Sequence, residues 1–147
     1  MAYHDDLLDQ AFHLAHRDPT RPKQANLRRA VSTAYYALFH LLISEAVNYW
    51  RLKRQRTLLG RSFDHRKMKG ACHSCRSQNA DLKAVAEAFV DLQSARHLAD
   101  YDNSMVWARV EALSKIDKVE LAFERWRRVK THPEAQDLLL SLFADRR

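Results

Sequence analysis

The stretch from about Lys23 to Trp50 constrains the fold more than any other part of the chain. Leu27, Val31, Ala34, Leu38 and Leu41 fall in one stripe at helical spacing. Beside it runs a second stripe of Arg28, Ser32, Tyr35, Phe39, Leu42, Ala46 and Tyr49. Two adjoining stripes give a broad buried face, so this helix must pack against several neighbours at once. The flanking sequence supplies them. Tyr3 to Arg17 reads as a first helix with Leu7, Leu8, Ala11, Phe12, Leu14 and Ala15 on its apolar side. Asp18-Pro19-Thr20-Arg21-Pro22 stops it, and so short a connection predicts an antiparallel return. Ala80 to Tyr101 predicts another helix, with Leu82, Val85, Phe89, Leu92 and Ala99 in phase. After a break at Asp102-Asn103-Ser104, Met105 to Lys130 presents Val106, Val110, Leu113, Ile116, Val119, Phe123 and Trp126. Pro133 then starts a short last helix that packs Leu138, Leu139, Leu142 and Phe143 inward.

Composition agrees with helices. The 20 Ala and 19 Leu outnumber the 8 Val, 2 Ile and 4 Thr, a balance that favours helix over sheet. Two Gly and three Pro exclude collagen-like and linker-like chains, and 147 residues make one domain. The expected fold is all-α, an antiparallel up-and-down bundle of four to five helices. One domain spans residues 1–147, with a basic connecting segment at 51–76.

That segment holds most of the net charge of +7. Between Arg51 and Arg76 there are nine basic residues and one acid, Asp64, whereas the remaining chain has 16 basic and 17 acidic residues. A nearly neutral bundle therefore carries one local field of +8, suited to nucleic acid or an acidic partner. Gly60 and Gly70 read as breaks in it, with a short helix over Phe63 to Ala71 capped by Ser62 or Asp64. The two breaks argue against a membrane-surface helix. No uninterrupted apolar run of 18 residues occurs, and the acidic start is unlike a signal peptide, so a cytoplasmic protein without membrane attachment is expected.

The polar residues inside the apolar stripes are the candidate site. Arg96 falls where the phase of its helix calls for an apolar residue, and it can pair with Asp100 one turn on. His97 and Tyr101 form a second such pair. Arg28, Ser32 and Tyr36 make a polar seam along the central helix, able to hold a phosphate or a neighbouring carboxylate. The bland account stands beside it: a serine bonded back to its own helix and tyrosines reaching the surface.

Arg28 to Leu42, with its arginine, alanine, serine, paired tyrosines and phenylalanine, resembles the signature of the HEPN superfamily. Ala95-Arg96-His97-Leu98-Ala99-Asp100-Tyr101 resembles that superfamily's second signature. The resemblance covers about Tyr3 to Phe143 and implies a helical bundle that forms homodimers. Many relatives are metal-independent endoribonucleases of toxin–antitoxin or phage-defence systems, with an arginine and a histidine separated by four to six residues in a cleft between protomers. Others accompany a nucleotidyltransferase or bind nucleotides without cleavage. Arg96 takes the arginine's place, but Tyr101, Asp102 and Asn103 stand where the histidine belongs. Were the cleft active, Arg96 would stabilise the phosphate and Asp100 would orient it, with Tyr101 or His97 assisting. Arg28, Ser32, Tyr35, Tyr36, Arg66, Lys67 and Lys69 would bind ligand. Arg66 and His73 also have the family's spacing, in a segment interrupted by Gly70.

Two functions follow as expectations. One is an RNA- or nucleotide-binding module, with catalysis left open. The other is a non-catalytic homodimeric adaptor for an acidic protein such as a nucleotidyltransferase. No cofactor is expected. Cys72-His73-Ser74-Cys75, with His65, falls short of the four ligands of structural zinc, so no metal is expected either. His13, His16 and His132 read as ordinary surface or packing residues. Trp126 and Phe123 read as core, and Trp50 with Tyr49 as core or dimer contacts.

Overall fold

The computed structural model describes residues 2–144. Its described residues form seven helices and no strand: α1 (Tyr3–Ala15), α2 (Gln24–Val47), α3 (Lys53–Gly60), α4 (His65–His73), α5 (Ala80–Tyr101), α6 (Arg109–Val129) and α7 (Pro133–Ser141). The chain is all-α with a packed helical core, built from more helices than the four to five expected. Three short helices join the long four: α7 at the end and, in the basic segment, α3 and α4 in place of the one short helix expected there.

Side-chain contacts set the directions of the four long elements. Tyr3, at the start of α1, lies against His40, late in α2 (ring centroids 4.9 Å). Arg28, early in α2, reaches Ala99 at the end of α5. Asp81 of α5 pairs with Arg125 of α6 at 3.0 Å, and Asp91 with Lys115 at 2.8 Å. Successive long helices therefore alternate in direction. From Ala30 to Leu42, α2 exposes no residue fully, and only Tyr36 and His40 are half-buried. By length and composition α2 is apolar enough to cross a membrane, but 61% of that stretch is buried inside this fold.

Gly70 lies inside α4, not at its end. A glycine costs roughly 1 kcal/mol there, which the burial of Met68 and Cys72 and the cap from Asp64 to the Lys67 N–H offset. The last long helix begins at Arg109, four residues later than the apolar phase predicts. Two side chains of α2 hold the intervening residues extended. The Gln24 amide donates to the Trp107 carbonyl (2.7 Å) and accepts from the Trp107 N–H (2.9 Å). The Arg28 guanidinium donates to the carbonyls of Ala99 (2.9 Å), Asp102 (2.8 Å) and Met105. Val106 and Val110 consequently stand in solvent, 75% and 71% exposed, while Trp107 is buried on Leu27, Val31, Ala95 and Ala99. Trp126 and Phe123 are core, as their phase predicts; Trp50 and Tyr49 are exposed.

Arg28 thus ties the end of α5 to the segment after it, taking the Ala99 carbonyl of α5 together with those of Asp102 and Met105. Arg28→Ala should lower unfolding free energy in urea by about 3 kcal/mol, since charged hydrogen bonds contribute roughly 1.5–3 each and bare carbonyls add a penalty. Arg28→Lys should recover only part, because one ammonium cannot span three acceptors in a fork. A loss under about 1 kcal/mol for Arg28→Ala would show that the carbonyls find other partners.

Candidate functional site

The seam foreseen on α2 exists and is longer than expected. Gln24, Arg28, Ser32, Tyr36 and His40 follow one another at four-residue spacing, which keeps them on one side of a helix. The upper two anchor the chain after α5, as described. The next three meet α5, α4 and α1 in turn.

Ser32 donates its hydroxyl to Asp100 Oδ2 at 3.3 Å. The same oxygen lies 3.7 Å from Arg96 Nη1, so Arg96 and Asp100 pair along α5 as their spacing predicts. The Arg96 side chain is only 12% exposed. Its guanidinium carbon sits 5.3 Å from the centre of the Tyr35 ring and 5.9 Å from that of Tyr36, where the ring faces attract a cation. The position that breaks the apolar phase of α5 is thus occupied by a cation packed on two aromatic rings.

A histidine completes this junction, and it comes from a different helix. His65, the first residue of α4, places Nδ1 2.6 Å from the Tyr35 hydroxyl. Its ring stacks on Phe39 (4.2 Å between centroids, 24° between planes) and meets Tyr36 edge-on at 5.7 Å. Burial, and secondarily the positive charge of Arg96, push the His65 pKa below its ordinary value; Asp64 opposes them weakly. The neutral imidazole is thereby favoured. Burial also raises the Tyr35 hydroxyl far above the usual phenol range, so Tyr35 keeps its proton. One turn along α4, Lys69 donates to Ser94 Oγ at 3.0 Å and ties α4 to α5 just ahead of Arg96.

Of the residues singled out in the sequence, Ser32, Tyr35, Tyr36, Arg96 and Asp100 come together, and Lys69 flanks them. Arg28 is on the same seam but its fork is occupied by backbone carbonyls. His97 and Tyr101 meet each other (5.0 Å) on the exposed side of α5, away from Arg96. The reason is the helical turn of about 100° per residue, which separates neighbours in sequence. Arg66 and Lys67 are exposed on α4. Cys72 is buried, which pushes its thiol up to about 12, and Cys75 is half-buried. Among the described residues no group of three or more His, Cys, Asp or Glu gathers as a metal site. His65, weighed earlier as a zinc ligand, is instead turned onto Tyr35. No spacing in the chain connects position 65 with position 35 or 96, so only the path of the α3–α4 segment reveals it.

Comparison of the chain with family models, with curated proteins and with solved structures finds no match.

The junction makes folding pH-dependent. His65 and His40 both have lowered pKa values in the folded chain, His40 through burial first and then His4 and His65. Below pH 6.5 the unfolded chain takes up protons that the folded chain resists, so stability falls with decreasing pH. The melting temperature should drop from pH 7.5 to about 5.5, and His65→Gln should flatten part of that drop. An unchanged slope in His65→Gln would mean that His65 titrates normally.

Proposed function

We propose that this chain is a HEPN-like helical module that binds RNA or nucleotide phosphate through the cationic surface of α3 and α4. The observation that carries this reading is the state of the basic segment. Among the described residues, Arg51, Lys53, Arg54, Arg61 and Arg66 are exposed and have no carboxylate within ion-pair distance. Trp50 and Tyr49 stand beside them, 47% and 60% exposed, and α3 buries none of its residues. Unpaired cations along a backbone track, with aromatic faces for bases to stack on, are what single-stranded nucleic acid needs. Support also comes from the two motif-like stretches, whose Ser32, Tyr35, Tyr36, Arg96 and Asp100 lie in one cluster, and from long helices of alternating direction. On this reading the protein works in the cytoplasm as a homodimer, in a toxin–antitoxin or phage-defence setting. The proposal is one of binding.

Fluorescence anisotropy with a short single-stranded RNA tests it. Joint replacement of Arg51, Lys53, Arg54 and Arg61 by Ala should reduce the slope of log K against log salt by about 3, at about 0.7 per lost phosphate contact. The same slope in both proteins, or no binding by the parent at low salt, would reject the proposal.

The adaptor reading, a non-catalytic homodimer carrying an acidic protein such as a nucleotidyltransferase, is favoured by a different surface. A cavity of about 470 Å³ between α5 and α6 is lined by Leu98, Met105, Trp107 and Val110, among others. Val106 stands in solvent on the segment leading into α6. Absence of RNA binding, with a stoichiometric protein co-purifying in dependence on the Lys and Arg residues between 51 and 69, would favour this reading.

A further inference from the structure

Arg96 is poorly satisfied for a buried cation. A guanidinium has five N–H donors. Here one ion pair, at 3.7 Å and beyond hydrogen-bond length, is the contact that answers its charge, and the Asp100 oxygen concerned already accepts from Ser32. Arg96 Nε is fully shielded from solvent and has no partner. Such a group is costly unless something accepts from it. The Tyr36 hydroxyl also makes no hydrogen bond, on a half-buried side chain whose ring borders the same guanidinium. His65 engages Tyr35 through Nδ1, its half-buried ring lies against that of Tyr36, and among the described residues no hydrogen bond is made through Nε2.

The charges around the junction balance, two cations against two carboxylates, and the cation short of acceptors is Arg96. α4 contributes Lys69 and, beside His65, Asp64, which caps its own helix. α5 contributes Arg96 and Asp100, and α2 contributes Tyr35, Tyr36 and His40, the last held neutral. An anion that reaches it must be small and terminal. A guanidinium 12% exposed between two tyrosine rings cannot meet a phosphodiester that continues in both directions, but it can meet the end of a chain.

We propose that Arg96, Tyr36 and His65 bind a terminal phosphomonoester, carried by a free nucleotide or by the end of an RNA. This deepens the phosphate-binding reading and rests on it: α3 and α4 hold the polyanion, and the α2–α4–α5 junction reads its terminus. Two of the three residues come from the motif-like helices, and the third is supplied by the basic segment itself. The site therefore exists only when α4 is docked.

The test compares one RNA sequence with a 5′-phosphate and with a 5′-hydroxyl. The phosphorylated form should bind about tenfold tighter, the usual worth of a charge-assisted hydrogen bond. Tyr36→Phe, which keeps the ring and its packing, should remove most of that difference. Arg96→Gln should remove it entirely. Adenosine monophosphate should displace the phosphorylated RNA far better than adenosine. Displacement matching that of the whole RNA would identify the free nucleotide as ligand; weaker displacement would identify the RNA end. Equal affinity for the two RNAs, or equal competition by adenosine, overturns the terminal site while leaving binding through α3 and α4 intact. Failure of both RNAs to bind overturns both.

Discussion

The rest of the molecule depends on the burial of α2. Between Ala30 and Leu42 this helix offers solvent only the half-buried Tyr36 and His40. A helix with so little exposed surface has to be enclosed, and α1, α5 and α6 enclose it along its length. Any polar atom on it must then be satisfied by a neighbour, because a buried polar group without a partner costs about 1–3 kcal/mol. Gln24, Arg28 and Ser32 meet that requirement through hydrogen bonds to the chain after α5 and to α5 itself, while Tyr36 and His40 make ring contacts at the helix's half-buried positions. Hydrophobic burial draws the helices together, and the seam decides how they align: Gln24 and Arg28 accept only one placement of the chain between α5 and α6.

The same requirement explains why Arg96 interrupts an apolar phase. The residue opposite it on α2 is not aliphatic. It faces the rings of Tyr35 and Tyr36, and Asp100 lies one turn further along, braced by Ser32. A cation can be held there at lower cost than against leucines, although its donors are left short of acceptors. The structural and functional readings of Arg96 are therefore compatible. It joins two helices with fewer acceptors than its donors can use, and the proposed anion contact would draw on that shortfall.

The basic segment contributes differently from the bundle. α3 touches the body through α2 and buries no residue fully, with Leu59 packed part-buried on the core, whereas α4 inserts Met68 and Cys72 into the core and pins His65 and Lys69 to α2 and α5. A +8 stretch could not pack as a whole without burying unpaired charge. It resolves into one helix that stays largely outside and one that docks by a single apolar side, with Arg66 remaining exposed.

Much of this was legible in the chain. The α5 limits, the two stripes of α2, the Arg96–Asp100 pair and the proline-led start of α7 all follow from spacing, because a helix repeats every 3.6 residues whatever surrounds it. The misplaced features share a cause of another kind. Val106 and Val110 have helical phase, yet the first lies outside α6 and both face water, because Gln24 and Arg28 hold the preceding backbone from more than 70 residues away. The approach of His65 to Tyr35, 30 residues earlier, likewise leaves no trace in local pattern. Periodicity encodes which side of a helix is buried. Which polar side chain meets which distant partner depends on how the connecting segments close, and that closure is settled only when the packed helices leave room for one arrangement.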